Sequence, residues 1–422
     1  MNKNRTLVIG ISLGLILVIT AGFVGFLASL EFANAYNPQN ADPVQSVQYA
    51  QISPPDYIEP VIFDEDSLEN AEVWETLEIP DEISDEPAAT ETEPAEPQLA
   101  FFPTEPTYPV QETAQQAENV TTITISAAGD VTLGGDARGN GYHRFMQQFE
   151  QNGYAFFLAN VRDIFYNSDL AIVNFEGTLT DLEEGADKPF IFRAPPHFAR
   201  ILTEGAVTAV SLANNHTLDY FEAGYSDTIS ALNSENIPFF GNSHNTIIEV
   251  NGINVGLFGF RIWDNTQFNK NRITAAIGDL RNRGANLVIA YFHWGVEREN
   301  IANNVQREMA RHSINAGANL VLGSHPHVIQ GIEVYNGVNV VYSLANFSFG
   351  GNANPADKDT FIFQQTFTFV DGELLQDNES NVIPALISSV QHTNNFQPTP
   401  ATGADAERIL ERLQRYSEGF EQ

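Results

Sequence analysis

Two histidines, His325 and His327, lie two residues apart in the segment 323–327, which directly follows the apolar run 318–322. Side chains at positions i and i+2 of an extended segment point the same way, so this spacing predicts that both rings face one cavity at the carboxyl edge of a sheet. Pro326 restricts the backbone between them. Neutral imidazole is a common metal ligand and also an ordinary loop side chain, so the pair alone leaves both interpretations open.

Four other apolar runs also end in polar side chains that can bind a metal. A single strand end of this kind is often a turn whose polar residue is satisfied by the backbone. Five in one domain favour a metal site, because burying so many polar groups at one sheet edge is costly without a cation. The four runs are 123–128, 170–173, 206–210 and 287–290, and they lead to Asp130, to Glu176, to Asn215 with His216, and to His293.

Residues 119–400 are predicted to form one α/β domain, because apolar strands alternate with helical stretches from residue 119 onward. Helical spacing covers 220–236 and 304–316. Two Asn-Gly pairs, at 251–252 and 336–337, predict hairpins with tight two-residue turns.

The last segment, 401–422, is predicted to be a separate element. Its residues 404–420 have the spacing of an amphipathic helix. We expect Ile409, Leu410 and Leu413 to face the domain.

The strand-end residues lie in seven ordered motifs between about residue 123 and residue 349. The motifs are Gly129-Asp130-Val131, Asn174-Phe175-Glu176-Gly177, Phe192-Arg193-Ala194-Pro195-Pro196, Ala213-Asn214-Asn215-His216-Thr217-Leu218-Asp219, His293-Trp294-Gly295-Val296-Glu297, Gly323-Ser324-His325-Pro326-His327-Val328 and Tyr342-Ser343-Leu344-Ala345-Asn346-Phe347. In this order they resemble the motifs of the capsule-synthesis protein CapA family. That family belongs with the calcineurin-like metallophosphoesterases and is tied to poly-γ-glutamate capsule production.

The resemblance implies a sandwich of two sheets flanked by helices, with two divalent metal ions at one edge. Mn, Fe and Zn are the expected metals. Glu176 would lie between the ions, where metallophosphoesterases generally have an aspartate. The remaining ligands would be Asn215, His293 and His325 for one ion, and Asp130 and His327 for the other.

The resemblance also implies a catalytic role for His216, which follows the ligand Asn215. It would be the acid that protonates a leaving group or stabilises charge on the attacked centre. Two ions would activate water and hold the oxygens of the displaced group.

The sequence departs from the family pattern near the expected second ion. Metallophosphoesterases usually carry Asp-x-His in the first motif, whereas Asp130 is followed two residues later by Thr132. One ion therefore lacks an imidazole, and we expect it to bind more weakly. Ala345 stands where the family usually has a glycine, and Phe221 displaces the usual second glycine after the Asn-Asn-His motif. Both side chains are expected to narrow the cavity.

Arg193 is the basic side chain of most interest, because the chain has only 20 Lys and Arg against 54 Asp and Glu. It makes either a local salt bridge or a clamp for an anionic substrate, and the position of its motif favours the clamp. The sequence leaves two roles for Asp219 and Glu297. They either accept hydrogen bonds from His216 or His293, or they cap helices at the solvent edge.

The first 35 residues are predicted to anchor the chain in the cell membrane. Lys3 and Arg5 precede an apolar run over 7–30, and a bilayer-spanning helix needs about 20 residues. Cleaved signal peptides have shorter apolar cores of about 7–15 residues, which favours a retained single-pass anchor. Cleavage after Ala33-Asn34-Ala35 is the alternative. The positive charges before the span place the following domain outside the cell.

Residues 36–118 are predicted to be a disordered acidic linker rich in Pro and Glu. They contain 20 acidic side chains and no Lys or Arg. Such a composition buries too little apolar surface to fold and repels itself into an extended spacer. A tether across the cell wall is favoured over a binding role, for which the apolar runs 61–63 and 99–102 are the candidates.

Two classes of function follow. One is a metal-dependent hydrolase or transferase acting on a phosphoester or an amide of an anionic polymer such as poly-γ-glutamate. The other is a non-catalytic accessory subunit that helps polymer synthase subunits make, export or attach that product. The net charge of −34 disfavours nucleic-acid binding. The absence of cysteine excludes disulfides and thiolate metal sites.

Overall fold

A computed structural model describes residues 119–375 and 379–420. The predicted membrane anchor and the predicted acidic linker lie outside the described residues. Within 119–375 and 379–420, no helix is both long enough and apolar enough to span a bilayer.

The described residues form alternating strands and helices. The strands are β1 (Val120–Thr132), β2 (Leu170–Phe175), β3 (Thr178–Leu179), β4 (Arg193–Ala194), β5 (Ala209–Ser211), β6 (Phe239–Phe240), β7 (Thr246–Val250), β8 (Ile253–Ile262), β9 (Leu287–Trp294), β10 (Leu320–Ser324), β11 (Ile332–Tyr335), β12 (Val338–Val341), β13 (Asn346–Phe349), β14 (Asp359–Val370), β15 (Glu373–Leu374), β16 (Ser380–Leu386) and β17 (Thr399–Pro400). The helices are α1 (Asn140–Asn152), α2 (Arg162–Tyr166), α3 (Ala199–Glu204), α4 (Phe221–Ser234), α5 (Gln267–Asn282), α6 (Asn304–Asn315) and α7 (Gly403–Ser417).

The strands make two large sheets and a two-stranded ribbon of β3 and β4. The first sheet has the order β17-β16-β14-β1-β2-β5-β6, with β13 beside β1 and β15 beside β14. The second has the order β11-β12-β10-β9-β8-β7. The central pairs of both sheets are parallel, including β1 with β2, β2 with β5, β8 with β9, and β9 with β10. Their carboxyl ends therefore meet at common edges.

The two sheets share one apolar core. Alternate residues of a strand point to opposite faces, and Ile125 of β1 joins a buried cluster with Leu257 of β8, Ile289 of β9 and Leu322 of β10. A second cluster fills the space between the first sheet and helices α1 to α4, and a third lies between the second sheet and helices α5 and α6. The prediction of an α/β fold with sheets flanked by helices is confirmed.

Both predicted hairpins are present. Asn251 and Gly252 join β7 to β8 with φ values of 51° and 81°, and Asn336 and Gly337 join β11 to β12 with 48° and 77°. These left-handed values are those that a tight Asn-Gly turn requires. The helix predicted over 304–316 begins with a capping box between Asn303 and Gln306 and is observed as α6.

The C-terminal amphipathic helix is present as α7, but one of its three predicted contacts is wrong. Ile409 and Leu413 are buried, whereas Leu410 is 43% exposed. Successive residues of a helix lie about 100° apart around its axis, so a narrow buried stripe includes positions 409 and 413 but not 410. Ion pairs of Arg408 and Arg412 with Asp359 also hold this helix on the domain.

Candidate metal centre

The predicted ligands lie at or just beyond the carboxyl ends of parallel strands. In the first sheet, Asp130 is near the end of β1 and Glu176 directly follows β2. In the second sheet, His293 is near the end of β9 and His325 directly follows β10. Strands from both sheets therefore deliver side chains to one place, as the five apolar runs predicted.

Gly129 fixes the position of the Asp130 carboxylate. A Cβ atom at residue 129 would lie 1.8 Å from the carbonyl oxygen of Ala345. The amide of Asp130 donates a hydrogen bond to that same oxygen at 2.9 Å. A larger residue at position 129 would push β1 away from this segment, so the first motif needs a glycine before its aspartate.

Carboxylates and imidazoles form three overlapping groups of potential metal ligands, and two of these groups share Glu176. One ligand atom from each of Glu176, His293 and His325 lies within 4.8 Å of the others, and we call this group the first half of the centre. The same limit holds for Asp130, Glu176 and His327, which we call the second half. Glu176 belongs to both halves, as expected of a carboxylate placed between two ions.

Asn215 adds an amide oxygen to the first half. Its Oδ1 atom lies 2.7 Å from Nε2 of His293, and that Nε2 atom lies 3.6 Å from Oε1 of Glu176. The structure thus brings together the six residues that the sequence singled out as metal ligands, namely Asp130, Glu176, Asn215, His293, His325 and His327.

The histidines of the first half are held in the neutral form. Burial, followed by the nearby rings of His325 and His327, lowers the pKa of His293 well below its usual value. Burial and the ring of His327 lower the pKa of His325 to about 4. Neutral imidazole is the form that coordinates a metal, so both rings are ready to bind near pH 7.

The second half carries charge instead. Burial raises the pKa of Glu176 well above its usual value, and the Asp130 carboxylate adds to this effect. Burial acts against the charged ring of His327, but Glu176 and Asp130 outweigh it and raise its pKa to about 9. Nδ1 of His327 lies 3.2 Å from Oδ2 of Asp130. The two carboxylates beside His327 therefore favour the charged form of its ring.

Two buried atoms of the centre have no hydrogen-bond partner within the described residues. They are Oε1 of the shared Glu176 and Nδ1 of His325 in the first half. Leaving such atoms unpaired is costly, and a coordinated cation would satisfy them. Carboxylate, amide and imidazole donors suit Mn²⁺, Fe or Zn²⁺. The residues present therefore fit a divalent metal.

The extended backbone expected for His325 and His327 is wrong, although both rings face the same centre, with centroids 5.7 Å apart. Strand β10 ends at Ser324, and the two histidines have φ values of 98° and 57°. Non-glycine residues adopt this left-handed region at a cost that surrounding structure must offset, commonly at functional sites. The turn lets one ring join the first half and the other join the second half.

His216 lies close enough to His293 to contribute to the lowered pKa of that ring. Nδ1 of His216 is 2.6 Å from Oδ2 of Asp219, and the ring stacks on Phe192 with centroids 4.0 Å apart. Asp219 is fully buried and also accepts hydrogen bonds from the Phe192 amide and from Nζ of Lys188. Of the two roles left open for Asp219, the structure shows the one that orients His216.

Glu297 does not contact His293 as one of its two predicted roles required. Nδ1 of His293 instead lies 3.3 Å from the hydroxyl oxygen of Ser324. Glu297 is exposed, and one of its carboxylate oxygens lies within 4.8 Å of ring nitrogens of His325 and His327. It lies at the outer side of the centre.

Arg193 has no acidic partner among the described residues, so the local salt bridge is not found there. Its guanidinium donates to the carbonyl oxygen of Leu182 at 2.8 Å and lies 5.9 Å and 5.7 Å from the ring centroids of Tyr142 and Tyr220. Its buried Nε atom has no hydrogen-bond partner in that part of the chain. The anion clamp stays a prediction.

Several asparagines that hold the ligands were given no role from the sequence. Asn174 donates to Oδ1 of Asp130 at 2.8 Å, and Oδ1 of Asn346 lies 2.9 Å from Nδ1 of His327. Asn214 donates to the carbonyl oxygen of Phe175 at 2.7 Å, directly before Glu176. All three lie inside the motifs, which was the available signal. Nothing in the sequence pointed to Lys188.

The comparisons with known proteins agree with the family resemblance. Residues 124–351 match the family described as "Bacterial capsule synthesis protein PGA_cap". The match covers more than half of the chain, so the chain belongs to this family, which is part of the metallophosphoesterase-like superfamily.

Three relatives show how far the similarity extends. The chain is 29% identical over 249 residues to "PGA biosynthesis protein CapA" of Bacillus subtilis, covering 54% of this chain and 63% of that protein. It is 27% identical over 319 residues to "Capsule biosynthesis protein CapA" of Bacillus anthracis, covering 69% and 72%. It is 26% identical over 209 residues to "Probable polyglutamine synthesis accessory protein" of Mycobacterium tuberculosis, covering 42% and 55%. The chain thus spans less than two thirds of the Bacillus subtilis relative.

Proposed function

We propose that this chain is a metal-dependent hydrolase or transferase of poly-γ-glutamate capsule biosynthesis. Its substrate would be an anionic polymer or a phosphoester. One observation carries the proposal: Glu176 is shared by two groups of buried ligands, and its Oε1 atom has no hydrogen-bond partner among the described residues. The names of the Bacillus relatives support capsule biosynthesis as the setting.

Each ligand has a place in this proposal. Glu176, Asn215, His293 and His325 would hold one ion, and Glu176, Asp130 and His327 would hold the other. Divalent ions, when bound, polarise a substrate oxygen and make a coordinated water more acidic. The asparagines beside the ligands keep the carboxylate of Asp130 and the ring of His327 in fixed orientations.

His216 would supply the proton for the leaving group. Its Nδ1 atom is held by Asp219, which leaves Nε2 as the atom that can exchange a proton with a substrate. Lys188 donates to the other carboxylate oxygen of Asp219 and to the carbonyl oxygen of Asn215. These contacts tie the proposed acid to the segment that carries a proposed ligand.

Metal analysis tests the central part of this proposal. Purified protein, reconstituted with Mn²⁺, Fe or Zn²⁺ and freed of excess metal, should retain at least about one equivalent per chain. Assays on phosphodiesters and on poly-γ-glutamate should then show turnover that a chelator removes. Metal content well below one equivalent would contradict the proposal before any substrate is considered.

The setting that we propose is the outer face of the cell membrane, with residues 7–30 as the anchor and 36–118 as the spacer. The support is the pair of basic residues before the apolar run. Protease added to intact cells with an accessible surface should cut within 36–118 and release the domain. A domain that stays protected would argue against this orientation.

A non-catalytic accessory subunit is the second candidate function. It is favoured by Thr132, which stands where metallophosphoesterases usually have a histidine and lies with its hydroxyl 3.4 Å from Oε2 of Glu176. A deletion strain complemented with Glu176→Gln or His216→Ala separates the two candidates. Normal polymer production by both variants at normal protein levels would favour the accessory subunit, whereas loss in both would favour the enzyme.

A further inference from the structure

Nearly all arginines of the described residues have a partner, which is an acid, a carbonyl oxygen, a hydroxyl group or an aromatic ring. The guanidinium groups of Arg261 and Arg298 are the exceptions within 119–375 and 379–420. Both belong to segments beside the metal centre. In a chain with so few basic residues, an arginine without a partner is free to bind an anion from solution.

Arg261 lies on the same face of the second sheet as His293. The two residues are register partners on the parallel strands β8 and β9. Phe260 and Ile262, the neighbours of Arg261 in β8, pack into the cluster beneath helices α5 and α6. Because alternate residues of a strand point to opposite faces, the Arg261 side chain starts on the face that carries the metal ligand.

Arg261 is exposed, and its register partner on the neighbouring strand is the proposed ligand His293. Its charge adds to the effect of burial in lowering the pKa of Arg272 of α5. Two arginines therefore lie near each other in a protein that is acidic overall.

Trp263 adds an apolar surface two residues further along the chain, and it is 45% exposed. Its ring centroid lies 4.7 Å from that of His325 and 6.3 Å from that of His293, with edge-on geometry in both pairs. An exposed tryptophan against two proposed ligands is well placed to contact a bound substrate.

We propose that Arg261 and Trp263 form a substrate subsite beside the first half of the centre, where Arg261 binds a carboxylate of a γ-linked glutamate chain and Trp263 packs on its methylene groups. This inference rests on the proposed function. Each γ-linked glutamate unit presents one free carboxylate and two backbone methylenes. A guanidinium pairs with such a carboxylate through two parallel hydrogen bonds, and an indole ring offers the matching apolar face.

Arg298 is less suited to this role. Its amide donates to the carbonyl oxygen of Pro326 at 2.8 Å, so its backbone lies at the ligand loop. Its sequence neighbours, Glu297 and Glu299, are both exposed and offset its charge. Arg298 therefore serves as a matched comparison for Arg261, because both are exposed arginines next to the centre.

Binding of two matched oligomers tests the subsite directly. The full-length, metal-loaded protein is titrated by calorimetry with a γ-linked glutamate hexamer and with a γ-linked glutamine hexamer, which has the same backbone without the side carboxylates. Arg261→Gln should weaken binding of the glutamate hexamer by roughly tenfold and leave binding of the glutamine hexamer unchanged. Arg298→Gln should weaken glutamate binding by less than about threefold.

Trp263 has a different expected signature. Trp263→Ala should weaken the binding of both hexamers to a similar degree. Trp263→Phe should retain most of the binding, because the contact is apolar. Metal content, measured on every variant, should match that of the unsubstituted protein. A distant exposed arginine variant, Arg283→Gln, should bind both hexamers normally.

The outcomes separate this inference from the proposed function. If the unsubstituted protein prefers the glutamate hexamer and Arg261→Gln keeps that preference, the subsite is wrong while the proposed substrate stands. If the unsubstituted protein retains metal but binds neither hexamer, the substrate class and the subsite fail together. Equal effects of Arg261→Gln and Arg298→Gln would show general charge attraction and would also overturn the subsite.

Discussion

The two halves of the metal centre share Glu176 but differ in the pKa values of their histidines. In the first half, burial keeps His293 and His325 neutral, and two buried atoms lack a hydrogen-bond partner among the described residues. In the second half, burial is outweighed by the carboxylates of Glu176 and Asp130, which raise the pKa of His327 to about 9, and its Nδ1 atom lies 3.2 Å from Oδ2 of Asp130. We therefore expect a metal ion to bind the first half directly, whereas binding to the second half should release a proton from His327 near pH 7.

The difference in histidine pKa adds to a difference in ligand number, because Thr132 stands where a histidine is usual. The second half has one imidazole, while the first has two imidazoles and the amide oxygen of Asn215. Ligand number and ligand protonation both favour the first half, since metals bind deprotonated ligands. We therefore expect two binding events of unequal affinity, with the first half filled before the second.

The largest expected effect comes from the residue that the halves share. Glu176→Gln removes the charge of the carboxylate from both groups of ligands, so metal affinity should fall by at least about tenfold in each. Elemental analysis after reconstitution measures the loss. Retention of a full complement of metal would show that Glu176 is not a ligand to both ions.

His325→Ala should remove the tighter of the two ions. Because a ligand present at about 100 times its Kd stabilises the folded state by about 2.7 kcal/mol, Tm in metal-containing buffer should fall by roughly 5 °C. The same substitution should change Tm much less in chelator. His392→Ala, at an exposed histidine away from the centre, is the matched control and should behave like the unsubstituted protein in both buffers.

His327→Ala should affect the weaker ion alone. One equivalent should remain bound, and Tm in metal-containing buffer should fall by less than about 2 °C. Calorimetric titration of metal into the apo protein distinguishes the two variants, because His325→Ala should lose the steeper binding step and His327→Ala the shallower one. The opposite assignment would reverse the comparison between the halves.

The identity of the ligands could be predicted from the sequence better than their backbone conformation or their protonation. Asp130, Glu176 and His293 could be found because each follows an apolar run, and the topology of parallel strands brings such positions together. The left-handed φ values of His325 and His327 could not be predicted, since a two-residue spacing fits a strand equally well. Leu410 was misplaced because helical spacing gives the width of an apolar stripe only approximately.

The difference in histidine pKa between the two halves also could not be predicted from the sequence. It depends on which carboxylates face which ring, and on how deeply each is buried. The same is true of Lys188, whose partner Asp219 is 31 residues away in the chain. Arg261 and Arg193 look alike as isolated arginines in the sequence. Only the structure shows that Arg193 is engaged with a carbonyl oxygen and two tyrosines, while Arg261 is free of such contacts within the described residues.

The smallest expected effect on metal binding comes from Asp219, which touches neither half. Asp219→Asn keeps the shape of the side chain but removes the carboxylate that orients His216, so metal content should be unchanged. Polymer production in a complemented deletion strain should nevertheless fall by about tenfold to a hundredfold, because a misoriented imidazole is a poor proton donor. Asp279→Asn, at an exposed position on α5, is the matched control and should support normal production. Loss of metal in Asp219→Asn would show instead that the His216 segment supports the first half through Asn215, and normal production with normal metal would remove His216 from the proposed mechanism.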